Sequence, residues 1–465
     1  MKPLIASAVF AVIMMFTALM VKEKGTVTNI AVLLLAALLG INIWELTTLL
    51  HMSEPFTEQF GGMIRYSSFS AWFSTLMNGI VLLYVLLCGK NIEKVGSHVA
   101  EYYALIFFIL CGVSLISSYG NLLILFLGIE IISIPQYILA GSDKRNLKSS
   151  EASLKYFLMG SFSTGILLMG IALLYGSMGT FDIAKFSFME EGGINMMSLA
   201  GILFLIVALG FKVSAAPMHF WTPDVYDGAP TPFTALMATV VKAAIFVAFL
   251  NLFNTAFGAI NSHWSLVLSI VTALTLFIGN ITAVFQQSVK RMLAYSSIAQ
   301  AGFMLFAVLS VNATSMKGII IYSVAYSVAT IGIFSVLMKL KDYTYDGFNG
   351  LAKKQPLLAF VATFFLLSLA GIPLTGGFFA KYYVLTAVLE QGSGLMWLVL
   401  FALLMAAVSV YYYFKVIMAM YFKKGDPELV AEVTGTDKFF LSVTCAIVIL
   451  IGIAPDLLLN ILVKG

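Results

Sequence analysis

Seven ionisable side chains interrupt stretches that are otherwise almost wholly apolar: Glu130, Lys155, Lys212, His219, Lys242, Lys381 and Lys415. A charge at mid-membrane costs from ~3 to more than 10 kcal/mol, so it persists where it is paired, hydrated or used. An ammonium taken out of water releases its proton more readily, and a nearby carboxylate opposes the release. Lysines and a glutamate spaced through an apolar interior can therefore take up and pass on protons. Lys415 lies near the end of its run, with Lys423 and Lys424 beyond, and reaches water by extending its stem. Lys155 is about one turn inside its run, where snorkelling and exchange account for it equally. Glu130, Lys212 and Lys242 fall near the centres of theirs, beyond snorkelling reach. His219 serves equally well as a hydrogen-bonded packing residue or as an exchanging group. Redox chemistry lacks its motifs: Cys88, Cys111 and Cys445 are far apart in apolar runs, with no CxxC, Cys/His cluster or CxxCH haem pattern.

Such groups need a membrane around them. Of the 465 residues, 61% are hydrophobic and 10% charged, with mean hydropathy +0.99, where a soluble domain carries roughly 25% charged residues. The formal net charge of +4 says nothing for nucleic acid. "MKPLIASAVFAVIMMFTALM" lacks a small-residue cleavage site and runs into a second apolar stretch, so it reads as a first span. Runs of about 20 apolar residues number fourteen, from 3–20 to 438–461. The connections 47–68 and 176–198 read as surface hairpin or interfacial helix. Sixteen lysines and arginines fall in odd-numbered connections, and five, Lys2, Arg65, Lys185, Lys317 and Lys464, in even-numbered ones or at the termini. That bias places the odd connections in the cytoplasm and both termini outside.

Two spans are broken. In "GFKVSAAPMHFWTPDVYDGAP" the seventh is interrupted at Pro217, with Lys212 before it, and the chain reads as loop from Asp224. In "LAGIPLTGGFFAKYYV" the twelfth is interrupted at Pro373, Gly376 and Gly377, with Lys381 after it. Proline removes a backbone donor and clashes with the preceding turn, and freed backbone survives at membrane depth only against protein or water. The breaks are five spans apart. Five is odd, so successive copies point in opposite directions, and spans 4–8 and 9–13 read as inverted repeats around a transport pathway. The expected organisation is all-α and polytopic: spans 1–3 with a surface hairpin in 1–101, repeats in 102–254 and 255–420, and a loop with the last span in 421–465.

"LGIEIISIPQYILAG", "SSEASLKYFLMGSFSTGILLMG", "GFKVSAAPMHFWTPDVYDGAPTPFTALMATVVKAA", "VKRMLAYSSIAQAGFML" and "GIPLTGGFFAKYYV" together resemble the antiporter-like membrane subunits of the proton-pumping NADH–quinone oxidoreductase, bacterial respiratory complex I. "WTPDVYDGAPTP" and Lys381 resemble the subunit N branch, since the M-type and sodium/proton antiporter relatives usually carry glutamate at that lysine. The resemblance implies that Glu130 pairs with Lys155, that this pair sets the proton affinity of Lys212, and that protons pass through Lys242 towards Lys381. Lys290, Ser296, Ser297 and Gln300 are secondary candidates. Where the family often reads "AYSSIAH", this chain has "AYSSIAQ", so Gln300 can hold water in line but cannot exchange a proton.

The resemblance further implies a multi-pass protein of the bacterial inner membrane with both termini periplasmic, working among other antiporter-like and small membrane subunits. No cofactor or metal is expected in this chain; FMN, iron–sulfur clusters and quinone belong to partner subunits. The other readings are a subunit of a multisubunit sodium/proton antiporter or related membrane-bound hydrogenase or dehydrogenase, and a quinone-reducing membrane enzyme with its own redox centre.

Overall fold

The structure, a computed structural model, describes residues 1–50, 56–188 and 194–463; Lys464 and parts of both surface connections lie outside them. In chain order the elements are α1 (Lys2–Met20), α2 (Lys24–Leu50), a hairpin of β1 (Phe56–Gln59) and β2 (Ile64–Ser67), α3 (Ser68–Val95), α4 (Val99–Ser117), α5 (Leu122–Ala140) and α6 (Leu147–Met178). Then follow α7 (Met196–Lys212), α8 (Trp221–Gly228), α9 (Thr231–Leu236), a π-helical stretch (Met237–Val241), α10 (Lys242–Thr255), α11 (Asn261–Val284), α12 (Val289–Leu309) and α13 (Ala313–Leu337). The last are α14 (Leu351–Lys354), α15 (Pro356–Ala370), α16 (Gly376–Leu389), α17 (Met396–Phe422), α18 (Gly435–Ile453) and α19 (Asp456–Val463). Twelve helices of the described residues are long and apolar enough to cross a membrane. Two further apolar stretches are each split into a helix pair, α7–α8 and α15–α16.

Both splits fall where the sequence breaks its own helix. α7 stops at Lys212, Ser214 takes a left-handed φ of 67°, and Pro217 follows before α8 begins. α15 ends on Gly371 at φ 85°, a conformation that costs glycine nothing. Beyond it the chain turns so tightly that a Cβ on Gly377 would come 1.7 Å from the Ser368 carbonyl oxygen.

The connections separate into two sets. Lys24 donates to the carbonyls of Glu93 and Gly96, Val289 N–H to Tyr343, Lys341 N–H to Glu428, and Lys354 pairs with Asp426 at 2.7 Å. These join odd-numbered connections to one another. On the other side Arg65 N–H donates to Ser118, Leu122 N–H to Phe181, and the Arg65 side chain meets Asp182 at 3.3 Å, joining even-numbered ones. The first long connection does hold a hairpin.

α9, the π-helical stretch, α10, α12 and α13 fill the centre, while α1, α2 and α17 turn most of their length outward. α6 packs along both halves of the first split helix and α13 along both halves of the second; α4 lies on α5 as α11 lies on α12. The elements that carry lysines are thus set among helices that exclude lipid.

Candidate functional site

On α5, Glu130, Ser133 and Tyr137 recur at helical spacing and share one face. Lys212, the final residue of α7, reaches into that face. Its ammonium donates to Ser133 Oγ at 2.9 Å and Tyr137 OH at 3.3 Å and stands 3.7 Å from Glu130 Oε1. Thr164 of α6 donates to the same carboxylate oxygen at 2.8 Å. The Lys212 side chain is 7% exposed, so its charge is held by one carboxylate, two hydroxyls and the electronegative end of its own helix.

The expected pairing of Glu130 with Lys155 does not form. Lys155 binds Glu151 at 2.7 Å and Asp224 at 2.9 Å. α6 starts at Leu147, so Lys155 lies about two turns in rather than one, and Thr164, the residue level with Glu130, is a further nine positions along. At 1.5 Å per residue that is about 13 Å, and a helical side chain leans towards the N-terminus, which carries the Lys155 ammonium away from Glu130. Asp224 is likewise not in a loop. It occupies the first turn of α8, where a carboxylate is favoured by the helix dipole, and it also binds Arg291 of α12 at 2.9 Å.

His219 sits in the break, 5% exposed, with its Nδ1 lacking a hydrogen-bond partner among the described residues. Ser214 Oγ and Thr222 Oγ1, on either side of it in the chain, are buried in the same condition. The break thus gathers three buried polar side chains, Ser214, His219 and Thr222, in an otherwise apolar body.

Lys242 opens α10 directly after the π-helical stretch, a distortion that recurs where a helix serves a site. Only 1% exposed, it donates to the Ser297 carbonyl at 2.8 Å and to Ser297 Oγ at 3.2 Å. One helical turn on, Gln300 Nε2 donates to Leu369 O at 2.8 Å and Tyr413 OH at 3.2 Å, and its Oε1 accepts from Tyr322. Ser296 is hydrogen-bonded to Tyr413. Lys381 of α16 donates to Leu369 O at 3.1 Å and Ala370 O at 2.7 Å. These are among the last carbonyls of α15, which have no partner within their own helix. No carboxylate faces Lys381 among the described ion pairs; a helix end does that work.

Lys290 is buried too, but it donates to the carbonyls of Asp227 and Ala229 at 2.8 and 2.7 Å, closing the C-terminus of α8. That is a capping role. Lys415 lies 4.0 Å above the Tyr345 ring, away from the row. Residues not singled out in the sequence include Ser133, Tyr137, Thr164, Asp224, Arg291, Tyr322 and Tyr413. The run Tyr411–Tyr412–Tyr413 inside an apolar span was the one visible signal among them.

Residues 120–452 match the family described as "NADH:quinone oxidoreductase/Mrp antiporter, TM". The chain is 43% identical over 406 residues to NADH-quinone oxidoreductase subunit N of Cytophaga hutchinsonii, covering 86% of this chain and 88% of that protein. It superposes on a chain of respiratory complex I from Thermus thermophilus, solved with bound aureothin, with TM-score 0.83 and 31% identity over 98% of both chains. It superposes also on a chain of the membrane-bound sulfane sulfur reductase, an archaeal respiratory membrane complex, with TM-score 0.87 and 26% identity, covering 99% of this chain and 96% of that one.

Proposed function

This chain belongs to the NADH:quinone oxidoreductase/Mrp antiporter transmembrane family and, within it, to NADH-quinone oxidoreductase subunit N, and from that premise we propose that its proton path is the buried row Glu130–Lys212–Lys242–Lys381. The protein is a proton-translocating membrane-arm subunit, partnered by the other membrane subunits of the complex.

One observation carries the assignment of residues. From Glu130 to Lys212, and from Lys242 through Ser297, Gln300 and the Leu369 carbonyl to Lys381, polar groups follow one another through the bundle, with Glu130 and Lys212 partly buried and Lys242, Gln300 and Lys381 buried. Glu130 offers Lys212 a counter-charge, and a shift of either helix alters how much of that field the ammonium feels. Lys242 and Lys381 have hydroxyl and carbonyl partners instead, so each can lose its proton without stranding a buried carboxylate. A proton released at Lys212 passes the polar side chains of the break, His219 among them, then Lys242, then Lys381. Lys155 falls outside this row and serves with Asp224 and Arg291 to hold α8 against α6 and α12.

The two five-span units, 102–254 and 255–420, form the inverted pair expected of such a path, supported by the matching splits and the matching placement of α6 and α13. Odd-numbered connections face the cytoplasm of a bacterial inner membrane and both termini the periplasm, supported by the charge bias and by the contacts within each set of connections. FMN, iron–sulfur clusters and quinone are assigned to partner subunits. Proton uptake by inverted vesicles during NADH oxidation, with alanine at each lysine in turn, tests the row: loss of uptake at Lys212, Lys242 and Lys381 supports it, and full uptake at all three removes it.

A further inference from the structure

Two cavities at the odd-numbered ends of the helices are lined by charge, and they differ in its balance. One sets Lys148, Lys155 and Arg291 against Glu151, Asp224 and Asp227. Its three cations meet three carboxylates, and ion pairs at Lys155 and Arg291 close it on itself. The other, of about 320 Å³, lies between the start of α2, the α3–α4 connection and the α5–α6 connection. Lys24, Lys94, Lys144 and Arg145 line it, with Asp143 as the one carboxylate. Four cations to one carboxylate leave room for an anion. We propose that this cavity binds the headgroup of an anionic phospholipid, with the phosphate among the four cations and the acyl chains against α5. None of these residues belongs to the lysine row, so the site stands apart from the proton path.

The cations are open to a ligand. The Lys94, Lys144 and Arg145 side chains have no hydrogen-bond or ion-pair partner among the described residues. Lys24 gives two of its three N–H donors to the Glu93 and Gly96 carbonyls, at 2.8 and 2.6 Å, which anchors its charge and leaves a donor over. The acids nearby are engaged elsewhere. Glu93 accepts from Thr28 at 2.6 Å, Glu101 meets His98 at 3.0 Å, and Asp143 Oδ1 accepts from the Arg145 N–H at 3.3 Å. α4 begins at the same place, and its N-cap residue, His98, makes no side-chain cap. The first N–H groups of that helix add donors and the positive end of a dipole.

The walls are fixed from within. Tyr102 donates to Ser142 O at 3.2 Å, joining α4 to the α5–α6 connection, and a Cβ on Gly96 would stand 2.5 Å from the same hydroxyl. The surroundings favour a lipid over a free anion. α5 ends at Ala140 beside the cavity, and Ile138 and Ile134, about one and two turns back from Ser142, are half-exposed. An apolar strip thus runs from the cavity into the hydrocarbon. Basic pockets between helices at a membrane surface suit anionic headgroups. A zwitterionic headgroup brings a cation of its own, which the lysines and Arg145 repel.

The test uses the intact complex in nanodiscs, with Ser97, exposed at the cavity, replaced by photoreactive p-benzoylphenylalanine. In phosphatidylcholine discs that contain phosphatidylglycerol, the chain should cross-link to phosphatidylglycerol. Lys94→Gln, Lys144→Gln and Arg145→Gln together should weaken that binding about 100-fold, at roughly fivefold per charge. No lipid adduct, equal labelling by phosphatidylcholine, unchanged labelling of the triple variant, or cross-linking only to a neighbouring subunit overturns the proposal. So does loss of the adduct on adding inorganic phosphate at constant ionic strength, which would make the site one for a free anion. Should the triple variant not assemble, Lys144→Gln with Arg145→Gln in the exposed connection carries the test. A loss of about 25-fold is expected there, and unchanged labelling contradicts the site. The readout needs no NADH oxidation, so it stands or falls independently of proton uptake.

Discussion

Lys381 and Gln300 converge on one oxygen, the carbonyl of Leu369, from 3.1 and 2.8 Å. The two donors come from α16 and α12, and the acceptor is one residue short of the end of α15. A helix that ends inside the membrane leaves carbonyls that must find donors, and here a lysine and an amide supply them. The break in the span thus creates the binding place for the cation that follows it.

That arrangement depends on the turn that brings α16 back against α15. A Cβ on Gly377 would lie 1.7 Å from Ser368 O, so Gly377→Ala forces the two half-helices apart. The expected cost is about 1–3 kcal/mol, seen as less assembled complex on a native gel, with proton uptake per assembled complex reduced as Lys381 loses its carbonyls.

Lys155 should behave as a structural cation. Its partners are Glu151 and Asp224 near the odd-side surface, and arginine can hold the same carboxylates without exchanging a proton. Lys155→Arg is expected to keep normal uptake, and Lys155→Ala to reduce it. Lys155→Asp should damage the complex, and adding Asp224→Lys should restore part of the loss, since the exchanged charges can still meet. Equal failure of Lys155→Arg and Lys155→Ala would return Lys155 to the exchanging row.

Glu130→Ala should impair coupled turnover more than Lys415→Ala does. The first removes the one carboxylate beside Lys212 and leaves a mostly buried ammonium uncompensated, a loss on the order of 3 kcal/mol. The second removes a half-exposed lysine from the face of Tyr345. NADH-driven uptake in inverted vesicles compares them directly; equal effects would mean that depth in the membrane does not decide which charges matter.

A cysteine placed at Lys148 is expected to react with a membrane-impermeant thiol reagent in inverted vesicles and to stay unlabelled in intact cells. Labelling from the periplasm would reverse the orientation assigned to the odd-numbered connections.

Much of this was legible because lipid penalises charge. Lys212, Lys242 and Lys381 stand out from runs of alanine, valine and phenylalanine, and Pro217 and Pro373 mark where helices cannot continue, while Gly376 and Gly377, expected within the second break, open α16. Lysine and arginine counts sort the connections into two sets, and contacts such as Lys24 with Glu93 and Arg65 with Asp182 keep the same sorting. Partners across helices were not legible. The pairing of Glu130 with Lys155, implied by the resemblance, fails because the residue of α6 level with Glu130 is Thr164, nine positions beyond Lys155, which no local pattern shows. Asp224 looks like the start of a loop because "PDVYDGAP" is rich in breakers, yet its carboxylate suits the first turn of α8 and has two cations to bind. Tyr413 meets Gln300 across 113 positions of sequence, and no local pattern announces a contact made only when α17 packs on α12.

Lys212 takes up and releases a proton, and Lys212→Arg is the substitution that separates this from a fixed charge. Arginine keeps the charge beside Glu130 and can still donate to Ser133 and Tyr137, but it stays protonated at any ordinary pH and does not let the proton go. Measured as proton uptake per NADH oxidised in proteoliposomes, with a native gel for the intact complex, Lys212→Arg should assemble and lose uptake almost as fully as Lys212→Ala. Full uptake by assembled Lys212→Arg would show that the residue need not titrate and would remove Lys212 as an exchange site.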